Sequence, residues 1–438
     1  MNTIFIFILV ATLLLFLRYR NLYLLLIPLI FFGITISFTY PVYSVIDEAA
    51  HFEYILRILY AKRLPTLHEN DIWLFQLLEQ NSSFHAKLIP AHANYGAVQP
   101  PFYYLVVALL LSPIYLIFKD PTLIFHGARL LGVVLLAATV ITVIKTYYLL
   151  VGRKIIPRFD LLFFSLLTIS FFSERMLQIL IPVSNEHMAV FFFSLGLYLL
   201  TRISSEPFSR KIFIIFTTLS VLIFYTRFTA ISFFPISALV LWLRYGFKKA
   251  LVYSITVALF ALPFFIYNFV HYHDLTGARK HIDFVLPIVN PNNESYDVMR
   301  SMTFVLETFR KGIFLQSVHN NLARNLGLFI PSLLFLAFCT LWVVALKKRF
   351  LILGAFWAAI FGSCVFLTYS TISTRIPSII DRYFFLNITP MLILMYYFIL
   401  TFFRKKGVYL LSGIFILYWF IAAWEYLLIP YLTYFKIF

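Results

Sequence analysis

Long apolar runs separated by short basic clusters limit the possible folds of this chain more than any other feature. They lie near residues 4–17, 22–39, 101–118, 128–150, 159–173, 187–200, 212–226, 228–243, 250–270, 326–346, 350–370, 383–403 and 408–429. Residues are 62% hydrophobic and only 12% charged, with a mean hydropathy of +0.91. So few charges cannot cover that much apolar surface in water. The chain therefore reads as an all-α integral membrane protein, a polytopic helical bundle of about 11–13 transmembrane helices. Several runs fall short of the ~20 residues that cross a bilayer upright, which suits tilted or re-entrant helices.

The formal net charge of +17 does not point to nucleic acid, because Lys and Arg form no continuous stripe. They sit instead at Arg18–Arg20, Arg153–Lys154 with Arg158, Arg210–Lys211, Lys248–Lys249, Lys347–Arg349 and Arg404–Lys406. The positive-inside rule places such clusters on the cytoplasmic face, in contact with anionic membrane lipids. The polar stretches 40–100 and 271–325 then lie outside, with shorter ones at 174–186 and 371–382. One conflict follows. If runs 101–118 and 128–150 both cross, Arg153–Lys154 falls outside; either one run does not cross, or the charge rule fails there. Residues 1–270 read as a transmembrane module containing the extracytoplasmic loop 40–100, 271–325 as a loop capping its cavity, and 326–438 as C-terminal helices. The first run lacks a basic start and a small-residue cleavage site, so it reads as a retained anchor. Cys339 and Cys364 both sit in apolar runs without metal-ligand neighbours, so no disulfide framework is expected.

The best chemical lead is Tyr40–Pro65, just beyond the second run. Phe52, Ile55, Leu56 and Leu59 fall on one helical stripe, while Asp47, His51 and Tyr54 fall on another. An interfacial amphipathic helix would sink the first stripe into lipid headgroups and turn the second to a water-filled site. A second amphipathic stretch follows at Asp71–Leu78. A carboxylate beside the membrane can take a proton from an incoming hydroxyl as general base; equally, the adjacent Asp47–Glu48 pair suits a plain helix start, where acids meet the positive end of the helix dipole. Ser184–Asn185–Glu186–His187 opens a later run and carries the same choice between a cap and a second acid facing the cavity.

Cations in or beside apolar runs are costly and often functional. Arg129, Lys145, Arg227, Arg375 and Arg382 qualify. On the outer side the arginines break the positive-inside bias, and guanidinium offers forked donors to phosphate oxygens; snorkelling to lipid phosphates is the bland alternative. No phosphate-binding P-loop, GxGxxG or nucleophile elbow is present. Asn81–Ser82–Ser83 and Asn293–Glu294–Ser295 fit glycosylation sequons.

The order of these features resembles the GT-C superfamily of polytopic glycosyltransferases, particularly the protein-O-mannosyltransferase and aminoarabinose-transferase-like branch. The likeness rests on an outer Asp47–Glu48 with His51 nearby and on Gln99–Pro100–Pro101–Phe102–Tyr103–Tyr104 opening a run. Ala128–Arg129–Leu130, Asn185–Glu186, Tyr225–Thr226–Arg227 and the late Arg382–Tyr383 with Pro390 extend it. Gln99 stands where that family commonly has histidine, and Glu186 where it usually has aspartate.

The resemblance implies a cell-envelope enzyme that moves a sugar from a polyprenyl-phosphate donor to a hydroxyl of a lipid, glycan or protein, outside the cytoplasm. Asp47 matches the first-loop catalytic acid, Glu48 is its neighbour, and Glu186 matches the second-loop acid. Arg382 matches a late basic position near the donor phosphate. His51, Tyr54, Gln99, Arg129, His187, Arg227, Arg375 and Tyr383 complete the expected substrate-binding set. No cofactor is required, although Asp47, Glu48 and Glu186 could hold a divalent cation such as Mg or Mn. The competing readings are a lipid-linked glycan polymerase or ligase, and a transporter or flippase with Asp47 and Glu186 as gating acids.

Overall fold

The structure is a computed structural model that describes residues 2–40, 42, 48–66, 72–79, 95–172, 181–277, 279, 282–283, 286, 294–303, 305, 351–375 and 386–434. Among the described residues the chain is helical throughout, with no strand. The helices are α1 Asn2–Tyr19, α2 Leu26–Thr39, α3 Glu48–Leu56, α4 Ile72–Glu79, α5 Phe102–Phe118, α6 Pro121–Gly152 and α7 Asp160–Phe171. They continue as α8 Glu186–Ser205, α9 Arg210–Thr226, α10 Phe233–Tyr245, α11 Phe247–Tyr272, α12 Leu351–Thr374, α13 Ile388–Phe402 and α14 Lys405–Tyr434. Five helical segments among the described residues are long and apolar enough to cross a membrane: Leu22–Thr39, Pro121–Gly152, Glu186–Ser205, Phe247–Tyr272 and Leu351–Thr374. Most of the 271–325 stretch and all of the 326–346 run lie outside the described residues.

α6 is the spine. Its 32 residues measure about 48 Å, well beyond a hydrocarbon core of about 30 Å. α2 lies antiparallel to it: Tyr23 meets Tyr148, Gly33 meets Val133, and the Ser37 carbonyl meets His126. Gly33 is needed here, because a Cβ on it would come within 2.6 Å of Val133. α8 runs parallel to α6, and Arg153 pairs with Glu206 at their common end. α7 is buried on every side from Leu162 to Phe171, with Phe164 stacked on Phe16 and Phe163 on Tyr147. The same apolar core takes in α12 and α13, so early and late helices share it.

The basic clusters converge on one end of this bundle. The Arg158 guanidinium lies over Tyr148, the Tyr245 hydroxyl donates to the carbonyls of Ile203 and Glu206, and Lys249 sits over Phe208. Phe159 touches Tyr409, one turn after Lys405. Lys347–Arg349 lie outside the described residues.

α2 ends, and α6 begins, at the opposite end of the bundle. The intervening chain, residues 40–120, therefore starts and finishes on that side. α5 packs antiparallel to the first half of α6, with Leu111 and Ile114 against Gly127, and measures only about 25 Å. Its 17 residues run beside the first half of α6 only, and Arg153–Lys154 follow the other end of α6.

The expectation of a lipid-facing α3 is corrected. Phe52, Ile55, Leu56 and Leu59 are buried against protein, Phe52 edge-on to Phe125 at 5.0 Å, and His51 and Tyr54 on the other stripe are buried too. The projecting ends of α5 and α6 supply the apolar surface that lipid was expected to supply. α4 likewise buries Leu74 and Leu78.

Every non-glycine residue with positive φ among the described residues is basic: Arg20, Lys62, Lys119, Lys154, His273 and Arg375. Each follows a helix end, a place usually given to glycine. A cation there faces the negative end of the helix dipole, which offsets part of the left-handed backbone's cost.

The topology has a direct consequence for labelling. Cysteines placed at Arg63 and Lys119 should react with a membrane-impermeant maleimide from one side of a sealed vesicle, and a cysteine at Lys154 only from the other. Labelling of positions 63 and 119 from opposite sides would mean that α5 crosses.

Candidate functional site

At the end away from the basic clusters, the buried carboxylates are already matched with arginines. Glu48 opens α3 and Arg129 projects from α6. Arg129 Nε and Nη2 donate to Glu48 Oε1 and Oε2, both at 2.8 Å, and the Val183 amide donates to Oε1 at 3.1 Å. Arg129 Nη1 donates to the carbonyls of Tyr40 at 2.7 Å and Ser37 at 3.4 Å. Phe125, one turn earlier on α6, puts its ring 4.4 Å from the guanidinium. Both charged side chains are about 1% exposed. The Arg129–Glu48 pair joins the end of α2, the start of α3 and the 181–185 segment to α6. The bidentate geometry suits Arg and not Lys, which cannot address two oxygens with a planar fork.

A second pair lies close by along the chain. Arg227 Nη1 is 2.9 Å from Glu186 Oε1 and 3.3 Å from Asn185 Oδ1, while its Nε donates to Thr229 Oγ1 at 2.9 Å. Asn185 Nδ2 in turn donates to the Thr226 carbonyl at 3.1 Å and to Gln99 Oε1 at 3.4 Å. The cap expected at this helix start is Ser184, whose hydroxyl accepts from the Glu186 amide. Asn185 is spent on the arginine instead.

Between the two pairs stand two adjacent tyrosines on α5, each bound to a histidine from a different element. His51 Nδ1 and the Tyr104 hydroxyl share a 2.7 Å hydrogen bond, and His187 Nε2 and the Tyr103 hydroxyl share one of 3.1 Å. Tyr54 stacks flat on Tyr104, ring centroids 3.8 Å apart. Burial pushes the Tyr54 phenol well above its ordinary pKa, with Tyr267 and Tyr272 adding to the shift, so it stays a neutral hydroxyl. His187 is buried, lies within electrostatic reach of His51, and its Nδ1 has no hydrogen-bond partner among the described residues.

The structure thus gathers Glu48, His51, Tyr54, Gln99, Arg129, Glu186, His187 and Arg227 into one cluster. Arg375 ends α12, its amide donating to the Thr371 carbonyl. Asp47, Arg382 and Tyr383 lie outside the described residues. Asn185, Tyr103, Tyr104 and Phe125 were not singled out as site residues from sequence. The Phe125–Arg129 spacing of one helical turn and the two tyrosines beside Pro100–Pro101 were the available signals. Among the described residues no group of three or more His, Cys, Asp or Glu side chains is placed to hold a metal ion. Glu48 and Glu186 each face an arginine.

A scan against protein-family models finds no match for the chain, and neither curated proteins nor solved structures give a significant one.

The Glu48–Arg129 pair should behave as an anchor. Arg129→Met leaves a buried carboxylate without its cation and should cost about 3–5 kcal/mol of stability in detergent. Glu48→Leu combined with Arg129→Met should recover part of that loss. Simple addition of the two single losses in thermal unfolding would contradict the pairing.

Proposed function

We propose that the protein is a GT-C-like membrane glycosyltransferase, with about 11–13 spans, that uses a polyprenyl-phosphate sugar donor. The observation that supports this best is the anchoring of Glu48. Asp47 precedes Glu48 in the chain, and the Arg129 fork and the Val183 amide hold Glu48 at the start of α3. A general base has to be aimed before it can act, and an anchored neighbour is a means of aiming it.

In this reading Asp47 is the base. Its carboxylate takes the proton of the acceptor hydroxyl as that oxygen bonds to the anomeric carbon. The bond from that carbon to the phosphate oxygen breaks, and polyprenyl phosphate departs with the electron pair, with inversion at the sugar. Glu48 positions Asp47 instead of reacting. Arg129 and Arg227 each pair with a carboxylate, and in this reading Arg375 and Arg382 neutralise the donor phosphate. The hydrogen-bonded His51–Tyr104 and His187–Tyr103 pairs, with Gln99, suit the hydroxyls of a sugar or acceptor. The basic end would face the cytoplasm, and the site the opposite side.

Asp47→Asn should lower sugar transfer from a polyprenyl-phosphate sugar at least about 100-fold while the protein still purifies as a folded monodisperse species. Transfer at the wild-type rate would remove Asp47 as the base. Arg382→Ala should raise the donor concentration needed for half-maximal rate; an unchanged dependence would remove it from the phosphate.

A further inference from the structure

The basic end carries a feature that the sugar-transfer reading does not use. A groove of about 500 Å³ opens there between the end of α6, the segment leading to α7, and α13. Val151, Ile155, Ile156 and Tyr397 make its walls apolar, and Lys154 and Arg158 supply its charge. From the structure we infer that this groove binds the phosphate of an anionic phospholipid, with the adjoining apolar wall taking the upper part of an acyl chain.

Three observations carry the inference. First, α6 closes with a paired turn: the Lys154 amide donates to the Val151 carbonyl and the Ile155 amide to the Leu150 carbonyl. These bonds satisfy the carbonyls of Leu150 and Val151, which would otherwise repel an anion. Lys154 occupies the left-handed position of that turn, at φ 55°. Glycine would sit there without strain, so the lysine side chain is held at the groove at a conformational cost. Second, Lys154 has no salt bridge among the described residues. Its neighbour cations do: Arg153 pairs with Glu206, and Arg158 with Asp160. Third, Asp160 takes Arg158 Nε and Nη2 at 2.8–3.2 Å and leaves Nη1 free of hydrogen bonds among the described residues, with the side chain 60% exposed. Asp160 cancels most of the Arg158 charge, so Lys154 supplies the net attraction and Arg158 a directed donor. The groove lies among the basic clusters that mark the headgroup level, and apolar walls favour a lipid over a soluble phosphate.

The site stands apart from the proposed catalytic cluster, so the two can fail separately. The test titrates fluorescent phosphatidylglycerol against the full-length protein in neutral-detergent micelles. Binding should saturate. Lys154→Gln should weaken it about fivefold, Lys154→Arg should restore it, and Lys211→Gln, at the same end but outside the groove, should leave it unchanged. Lys154→Gly separates binding from folding: it should raise the melting temperature by removing the strain and weaken the lipid as Lys154→Gln does. Unlabelled phosphatidylglycerol should compete, while phosphatidylcholine and millimolar inorganic phosphate should not. Wild-type affinity in Lys154→Gln would overturn the proposal. So would an equal loss in Lys211→Gln, which would mean a diffuse basic surface, or displacement by inorganic phosphate.

Discussion

The half of this molecule away from the basic clusters depends on one buried ion pair. Arg129 offers five N–H donors in a plane and makes four bonds to oxygen among the described residues: two to Glu48, one to Tyr40 and one to Ser37. Burying a guanidinium and a carboxylate costs several kcal/mol per ion, and only full hydrogen bonding on both sides brings that cost back. The bidentate fork, the two carbonyls and the Val183 amide supply most of that bonding. A pair so placed adds little net stability, but it leaves a single low-energy way to bring α2, α3 and the 181–185 segment together on α6. Specificity of arrangement is what it supplies.

The rest of the site follows from that arrangement. Once Glu48 is fixed, α3 runs beside α5, and His51 and Tyr54 both meet Tyr104. The next residue on α5, Tyr103, turns to His187 at the start of α8. Glu186, beside His187, reaches Arg227 at the end of α9. The cluster is therefore a chain of neighbours, each held by a polar contact to a different helix. Its two carboxylates each pair with an arginine, and hydrogen-bonded imidazole, phenol and amide groups make up the rest of the cluster.

Much of this was legible in the sequence. The apolar runs mark the described helices to within a few residues at most ends, because a helix in lipid must satisfy its own backbone and few alternatives exist. The basic clusters gave the common end. Three things were not legible. α5 is as apolar as a span, and only its contacts reveal that it packs beside the first half of α6 alone. The lipid-facing stripe assigned to α3 is identical in pattern to a protein-facing one, since hydrophobic periodicity does not name its partner. The matching of Arg129 with Glu48 and of Arg227 with Glu186 joins residues far apart in the chain, which spacing cannot encode. What the spacing did carry was local: His51 with Tyr54 on one face, and Phe125 beneath Arg129.

The central claim is that this cluster serves sugar transfer from a lipid-phosphate donor. The most direct measurement incubates the purified protein with a labelled polyprenyl-phosphate sugar and a hydroxyl acceptor and follows both halves of the donor. The account predicts that free polyprenyl phosphate appears in step with glycosylated acceptor, one for one. Recovery of the donor intact, whether unmoved or carried across a vesicle membrane, would contradict it.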